Sequence, residues 1–292
     1  MHTMKGIILA GGKGTRLHPT TKAVSKQLLP IYDKPLIYYP LATLVSAGIR
    51  DIAIITAPDQ QLLFQKLLGD GLQWGISLTY LIQDKPRGIA ESFLLAAYFI
   101  GEDKVCLILG DNIFYGHDFR YDATMFDKQD GAVIFGHYVM HPQRYGVVRF
   151  DNESKIHSII EKPRNPPSNI VVTGIYMYDN NIVNITKGMK PSARGELEIT
   201  DVNNYYLNKG ILHLRQLARE SVWFDAGTYG AMVDASNYIR AIDKRQGLKL
   251  GCVEEAAYNR GFIGGDELID IIHSSTDYKH NDYLKRVMKG VW

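Results

Sequence analysis

A short apolar run at 6–10 delivers the chain into Gly11-Gly12-Lys13-Gly14-Thr15-Arg16-Leu17. Three glycines in four positions let backbone amides come close to an anion, and Lys13 and Arg16 add positive charge. The chemistry this suits is phosphate binding. A Walker A loop needs four residues between its glycines and then Lys-Ser/Thr, which this chain lacks. A dinucleotide fingerprint needs a third glycine where Leu17 stands, and an acid about 20 residues further on after a second strand. Here Asp33 lies in a Pro-rich loop instead.

Other segments carry chemistry that is ambiguous when each is read alone. Lys26-Gln27 reads as a surface lysine with its neighbour, and Gln83-Asp84-Lys85-Pro86-Arg87-Gly88 as a turn before a helix. An amide side chain and a glycine backbone nevertheless offer the donor and acceptor that a pyrimidine edge requires. Leu109-Gly110-Asp111-Asn112 ends an apolar run on a carboxylate, and the carboxyl ends of strands are where α/β sheets gather ligands. An aspartate there suits magnesium, a hard cation bound by one or two carboxylates plus phosphates, although an Asp-Asn pair is also common in turns. Glu161-Lys162 alone is a solvated strand end, and Arg194 precedes the acidic start of a helix at 200–208.

Taken together and in order, these segments resemble the sugar-phosphate nucleotidyltransferase family over roughly residues 4–246. The spacing of the glycine loop from Lys26 makes the match specific. The resemblance implies that Gly11, Gly12, Gly14, Thr15, Arg16, Lys26, Gln27, Gln83, Gly88 and Asp111 bind a nucleoside triphosphate, with Gln83 and Gly88 at the base. It implies a sugar-phosphate site of Asn112, Tyr145, Gly146, Glu161, Lys162, Val172, Tyr176 and Arg194. Asp111 and Asp225 would hold Mg²⁺, while Arg16, Lys26 and Lys162 would be the catalytic cations, with Trp223 and Phe224 as packing residues. The lysine-glutamine and Gln83 segments fit the thymidylyltransferase branch, which implies transfer from dTTP to glucose 1-phosphate to give dTDP-glucose and pyrophosphate. A UTP-using enzyme is the competitor within the class. A glycosyltransferase leaves the triphosphate loop unexplained, and a non-catalytic sensor leaves the two aspartates and Lys162 unexplained. The longer members of the family are homotetramers with a second nucleotide-sugar site for feedback, here by dTDP-rhamnose. Tyr115, Gly116, His117, Arg219, Glu255 and Arg260 are the contributors expected; without the resemblance they are a loop and surface helix charges.

Positioning these side chains requires alternating strands and helices. Apolar runs at 6–10, 52–56, 78–82 and 105–109 are separated by helix-period segments at 36–47, 59–68 and 89–100. That alternation predicts βα units and a largely parallel sheet covered on both faces. After Asp111 the runs at 132–139, 146–150, 156–160, 170–178 and 212–217 read as strands of a mixed sheet. Helices follow at 229–246, 254–260, 267–272 and 281–288. The expected fold is α/β: a Rossmann-like, mixed and largely parallel sheet flanked by helices, with a smaller sugar-binding lobe. We divide the chain into a core at 1–228, with nucleotide and sugar-phosphate halves meeting near 112, and a helical region at 229–292 for assembly or regulation.

The composition is that of a soluble enzyme, with 46% hydrophobic and 22% charged residues and a formal net charge of +2. Nothing resembles the one-sided basic block a nucleic-acid partner needs, and no apolar run approaches the roughly 20 residues that span a bilayer. Met1-His2-Thr3-Met4 leads into the first strand without the apolar core of a signal peptide. Cys106 and Cys252 are too far apart in sequence for a Cys-x-x-Cys pair, and Cys106 sits in an apolar run as a buried thiol. A reducing cytoplasm is the compartment expected.

Overall fold

The computed structural model describes residues 4–290, so the outermost residues of both expected regions lie outside it. Four strands, β1 (Lys5–Ala10), β2 (Asp51–Thr56), β3 (Ser77–Ile82) and β4 (Val105–Leu109), run parallel in the order β4-β1-β2-β3. Side chains alternate across a strand, and here both faces are covered. Ile8, Ile54 and Ile108 enter one core, while Ile7, Ile55 and Leu107 enter the other. Burial on both faces is why these strands read as continuous apolar runs.

Helices α1 (Tyr38–Ser46) and α2 (Gln61–Leu68) cover the first face, with α3 (Glu91–Leu95) and α4 (Ala97–Ile100) on the second. The single helix expected at 89–100 is thus two. Ala96 leaves the helical region at φ −93° and ψ 9°, and it is fully buried, so packing overrides its propensity.

The chain then forms β5 (Asn112–Tyr115), α5 (Phe119–Phe126), β6 (Ala132–Tyr138), β7 (Gly146–Phe150), β8 (Ile156–Glu161) and β9 (Ile170–Tyr178). It continues through α6 (Ile182–Lys187), α7 (Ile199–Asn208), β10 (Leu212–Gln216) and β11 (Val222–Asp225). The main sheet has nine strands in the order β8-β7-β9-β4-β1-β2-β3, with β6 paired to β9 and β10. Because β9 lies antiparallel to β4, one sheet runs from the nucleotide half into the sugar-phosphate half. Between Val172 and Tyr176 the register of β9 against β6 shifts, a bulge that sets Gly174 beside Asn112.

Strands β5 and β11 form a separate antiparallel ribbon, with Asn112 opposite Asp225. Helix α8 (Tyr229–Gln246) packs on it through Ala235 and Ile239. Helices α9 (Val253–Asn259), α10 (Gly265–Ser274) and α11 (Tyr278–Lys289) complete the first core. Among the described residues no helix is long and apolar enough to cross a membrane. Cys106 is fully buried in β4.

Candidate active site

Strands β1 and β4 end side by side, and the Gly110 N–H donates to the Leu9 carbonyl at 2.9 Å. The glycine loop therefore leaves the sheet next to Asp111. The ribbon brings Asp225 to the same corner, where the Ala226 N–H donates to the Asp111 carbonyl at 2.9 Å. Lys26 Nζ is ion-paired with Asp111 Oδ2, and Asn112 Nδ2 donates to Asp111 Oδ1 at 3.0 Å. Burial alone would raise the Asp111 carboxyl, but Lys26 and the Asn112 amide hold it below the usual carboxylate range. Asp225 goes the other way. Burial and the Asp111 charge push it up, against the opposing pull of Lys26, Arg16 and Arg144. Arg144 Nη2 stands 3.7 Å from Asp225 Oδ2. A buried Asp111 and a part-buried Asp225 whose like charges repel form a set that gains from further positive charge, and hard oxygen donors are those magnesium takes. The residues fit such an ion.

This corner opens into a cavity of about 490 Å³. It is lined by Arg16, Asp111, Asn112 and Asp225 together with Tyr145, Gly146, Glu161, Lys162, Val172 and Tyr176. Glu161 Oε2 accepts from the Thr200 hydroxyl at 2.5 Å, and Glu161 Oε1 lies 3.2 Å from Lys162 Nζ. Lys162 has φ +44°, a strained value for a side-chain-bearing residue. Its N–H donates to the Tyr145 carbonyl at 3.0 Å, which holds that backbone against the cavity wall. A second groove, of about 390 Å³, is lined by Gly11, Gly12, Lys13 and Gln83. A Cβ at Gly11 would stand 2.6 Å from Gln83 Oε1, so only glycine admits that amide so close. The glycine loop thus reaches both hollows, Lys13 in one and Arg16 in the other.

The model of the family described as nucleotidyl transferase matches residues 5–241. The chain belongs to the nucleotidyl transferase family. A glucose-1-phosphate thymidylyltransferase of Mycolicibacterium smegmatis is 52% identical over 265 residues, covering 91% of this chain and 92% of that one. Another, from Xanthomonas campestris pv. campestris, is 49% identical over 290 residues, covering 99% and 98%. A crystal structure from Bacillus anthracis, described as a provisional glucose-1-phosphate thymidylyltransferase in complex with a sucrose, superposes with a TM-score of 0.76. It shares 44% identity and covers 82% of this chain and 96% of that one.

In this nucleotidyl transferase several residues singled out from the sequence, Lys26 among them, are not among those lining the two hollows. Gln27 is 1% exposed and accepts from the Ser25 hydroxyl at 2.6 Å, a strut beneath the loop. Gly88, at φ +107°, makes room for the backbone of Leu197, whose carbonyl oxygen would lie 2.3 Å from an added Cβ. Arg194 is tied to Glu198, with Nη2 2.8 Å from Oε2, and reaches Glu161 Oε1 only at 3.5 Å. Gly14 and Thr15 shape the turn into Arg16, where the Gly14 carbonyl accepts from the Thr21 hydroxyl at 2.7 Å. Arg144, Thr200, Asn203 and Trp223 line the larger cavity and were not selected from the sequence. Arg144 adjoins Tyr145, which offered the one signal for it. Trp223, read as packing, is also a hydrogen-bond donor to Asn112.

The nucleotidyl transferase has a further cavity, of about 330 Å³, lined by Tyr115, Gly116, His117, Glu255 and Arg260. Arg219 is not with them; it lines a separate hollow beside His137. His117 Nε2 is 2.7 Å from Asp122 Oδ2, while the buried Arg260 Nη1 has no hydrogen-bond partner among the described residues.

Proposed function

We propose that this protein transfers the deoxythymidylyl group of dTTP to α-D-glucose 1-phosphate, releasing pyrophosphate and forming dTDP-glucose. The observation that carries the reading is the single cavity lined by Arg16, the Lys26-paired Asp111, Lys162 and Glu161. The names of the relatives support the choice of substrates. A phosphate oxygen of the sugar phosphate attacks the α-phosphorus in line; that oxygen–phosphorus bond forms as the bond to the pyrophosphate oxygen breaks. No general base is required, because the second pKa of a phosphate monoester is about 6 and the nucleophile is already anionic. The obstacle is repulsion between anions, so cations do the work. Arg16 and Lys26 meet the triphosphate, and Lys162 meets the sugar phosphate as a point charge. Glu161, oriented by Thr200, accepts from sugar hydroxyls. Asp111 and Asp225 would hold Mg²⁺, which when bound neutralises phosphate charge.

Pyrophosphate release with glucose 1-phosphate and magnesium, compared across dTTP, UTP, CTP, ATP and GTP, tests this. Preference for dTTP is expected. Preference for UTP would keep the mechanism and change the product, and no release from folded protein would overturn both.

The reading extends to control and assembly as a homotetramer. Arg260 in the further cavity, whose Nη1 has no hydrogen-bond partner among the described residues, supports a feedback site for an anionic nucleotide sugar, with dTDP-rhamnose the candidate. Inhibition by dTDP-rhamnose that Arg260→Ala relieves is the expected result, and unchanged rates with the ligand present would remove the proposal. Light scattering of the full chain reports the assembly.

A further inference from the structure

Away from the transfer site, Cys252, Glu254 and His280 bring a thiol, a carboxylate and an imidazole together. One donor atom from each lies within 4.8 Å of the other two. Cys252 and Glu254 flank the start of α9, and His280 is in the first turn of α11, so the three side chains meet where two helices of the C-terminal region touch. Cys252 Sγ is 3.4 Å from Glu254 Oε2, and His280 Nε2 is 3.6 Å from that same oxygen. In a tetrahedral zinc site, bonds of about 2.3 Å to sulfur and about 2.0–2.1 Å to nitrogen and oxygen place neighbouring ligand atoms roughly 3.4–3.6 Å apart. Two edges of the triangle therefore already have the length a zinc ion would impose.

The surroundings hold the donors in position. Trp74 Nε1 donates to Glu254 Oε1 at 3.2 Å, which leaves Oε2 turned toward the sulfur and the imidazole. The Asp277 carboxylate caps α11 and accepts from the His280 backbone N–H at 3.1 Å, fixing the turn that presents the ring. Side-chain exposure is 14% for Glu254 and 20% for His280, so the cluster is shielded yet reachable. Cys252 also borders the 330 Å³ cavity, which supplies a route for a water molecule as a further ligand. The neighbouring helices are packed by their own apolar residues, including Val253, Ala257, Leu284 and Val287, so the fold does not depend on an ion there.

We propose that Cys252, Glu254 and His280 form a zinc site that ties α11 to α9. The donor set is mixed sulfur, nitrogen and oxygen, which selects a borderline-soft metal such as zinc over magnesium. On binding, the Cys252 thiol that now donates to Glu254 Oε2 gives its proton to solvent, and the metal replaces that proton as the bridge between the two side chains. The site is separate from the aspartate pair and adds to the proposed transfer reaction without taking part in it. Cys106 cannot substitute, being fully buried within β4 and outside any such cluster among the described residues.

The full-length chain, purified without a histidine tag, is incubated with zinc chloride in excess magnesium and then dialysed. Elemental analysis is expected to find one zinc per chain in the wild type and none in Cys252→Ser. Cobalt(II) added in place of zinc is expected to give a near-ultraviolet thiolate-to-cobalt charge-transfer band, lost in Cys252→Ser. Trp74→Phe, which spares all three ligands, should weaken zinc binding about 10–100-fold, and His280→Ala should weaken it further. Melting curves establish that each variant is folded. A wild type that retains no zinc and shows no cobalt band overturns the proposal, as does a band that survives in folded Cys252→Ser or is unchanged in His280→Ala.

Discussion

Trp223 Nε1 lies 2.6 Å from Asn112 Oδ1, a hydrogen bond across the ribbon that decides which way the Asn112 amide points. The same oxygen accepts from the Gly174 N–H at 3.2 Å, so the amide nitrogen is left to donate to Asp111 Oδ1. An indole on β11 thus orients an aspartate at the end of β4 through one intervening side chain. Trp223→Phe keeps an aromatic ring against Tyr145 but deletes the donor. A hydrogen bond of about 1–1.5 kcal/mol corresponds to roughly a tenfold loss in kcat/KM. Steady-state kinetics beside a melting curve checks this; a lowered melting temperature with unchanged kinetics would make Trp223 a packing residue alone.

Lys162 is half exposed, and its ammonium stands 3.2 Å from Glu161 Oε1 within the cavity. Lys162→Ala retains the Cβ and hence the backbone strain, so the change isolates the charge. Loss of a group that stabilises developing negative charge costs on the order of 10²–10³ in rate. We expect kcat/KM for glucose 1-phosphate to fall by that factor, while binding of dTTP alone, followed by calorimetry, changes little. Turnover near wild type would remove Lys162 from the mechanism.

The parallel half of the fold was legible because strands buried on both faces leave uninterrupted apolar runs, as at Ile52–Ile55 and Val105–Leu109. The ribbon was not. Strands β5 and β11 have four residues each, too short for a periodicity, and their pairing joins segments far apart in the chain. Helix α5 escaped for a different reason: its polar sequence Phe119–Phe126 follows a glycine-containing loop and starts on an Asp118 cap. At the site, the charged residues Arg16, Asp111, Glu161, Lys162 and Asp225, picked out by their type, line the larger cavity, whereas Arg194, Gln27 and Gly88 line neither hollow. Sequence gives a residue's chemistry but not its partner, and each of these three is engaged by a neighbour: Glu198, Ser25 and Leu197.

Gly88 allows that difference to be tested. A residue that serves the base should affect dTTP binding, whereas one that admits the Leu197 backbone should affect stability. The obstructing atom for Gly88→Ala is a backbone oxygen, which cannot rotate away, and the conformation at φ +107° is itself unfavourable for alanine. Strain of this kind costs about 1–3 kcal/mol before the clash is added. Denaturant unfolding is expected to show a lower midpoint. Unchanged stability with weakened dTTP binding would return Gly88 to the base-reading role.

His137, on β6, sits edge-on to Trp223 with ring centroids 6.2 Å apart, and burial lowers its pKa below the ordinary 6.5. The sign follows from linkage. The folded chain keeps this imidazole neutral at a pH where the unfolded chain has already protonated it, so the unfolded state binds more protons. The stability it contributes is complete above the unfolded pKa of about 6.5 and declines as the pH falls from there through the lowered folded value. Wild-type protein should therefore lose melting temperature more steeply on acidification below about pH 6.5 than His137→Gln, whose side chain does not titrate. Parallel melting curves across that interval distinguish the two, and identical slopes would show that His137 is solvated well enough to titrate normally in the folded protein.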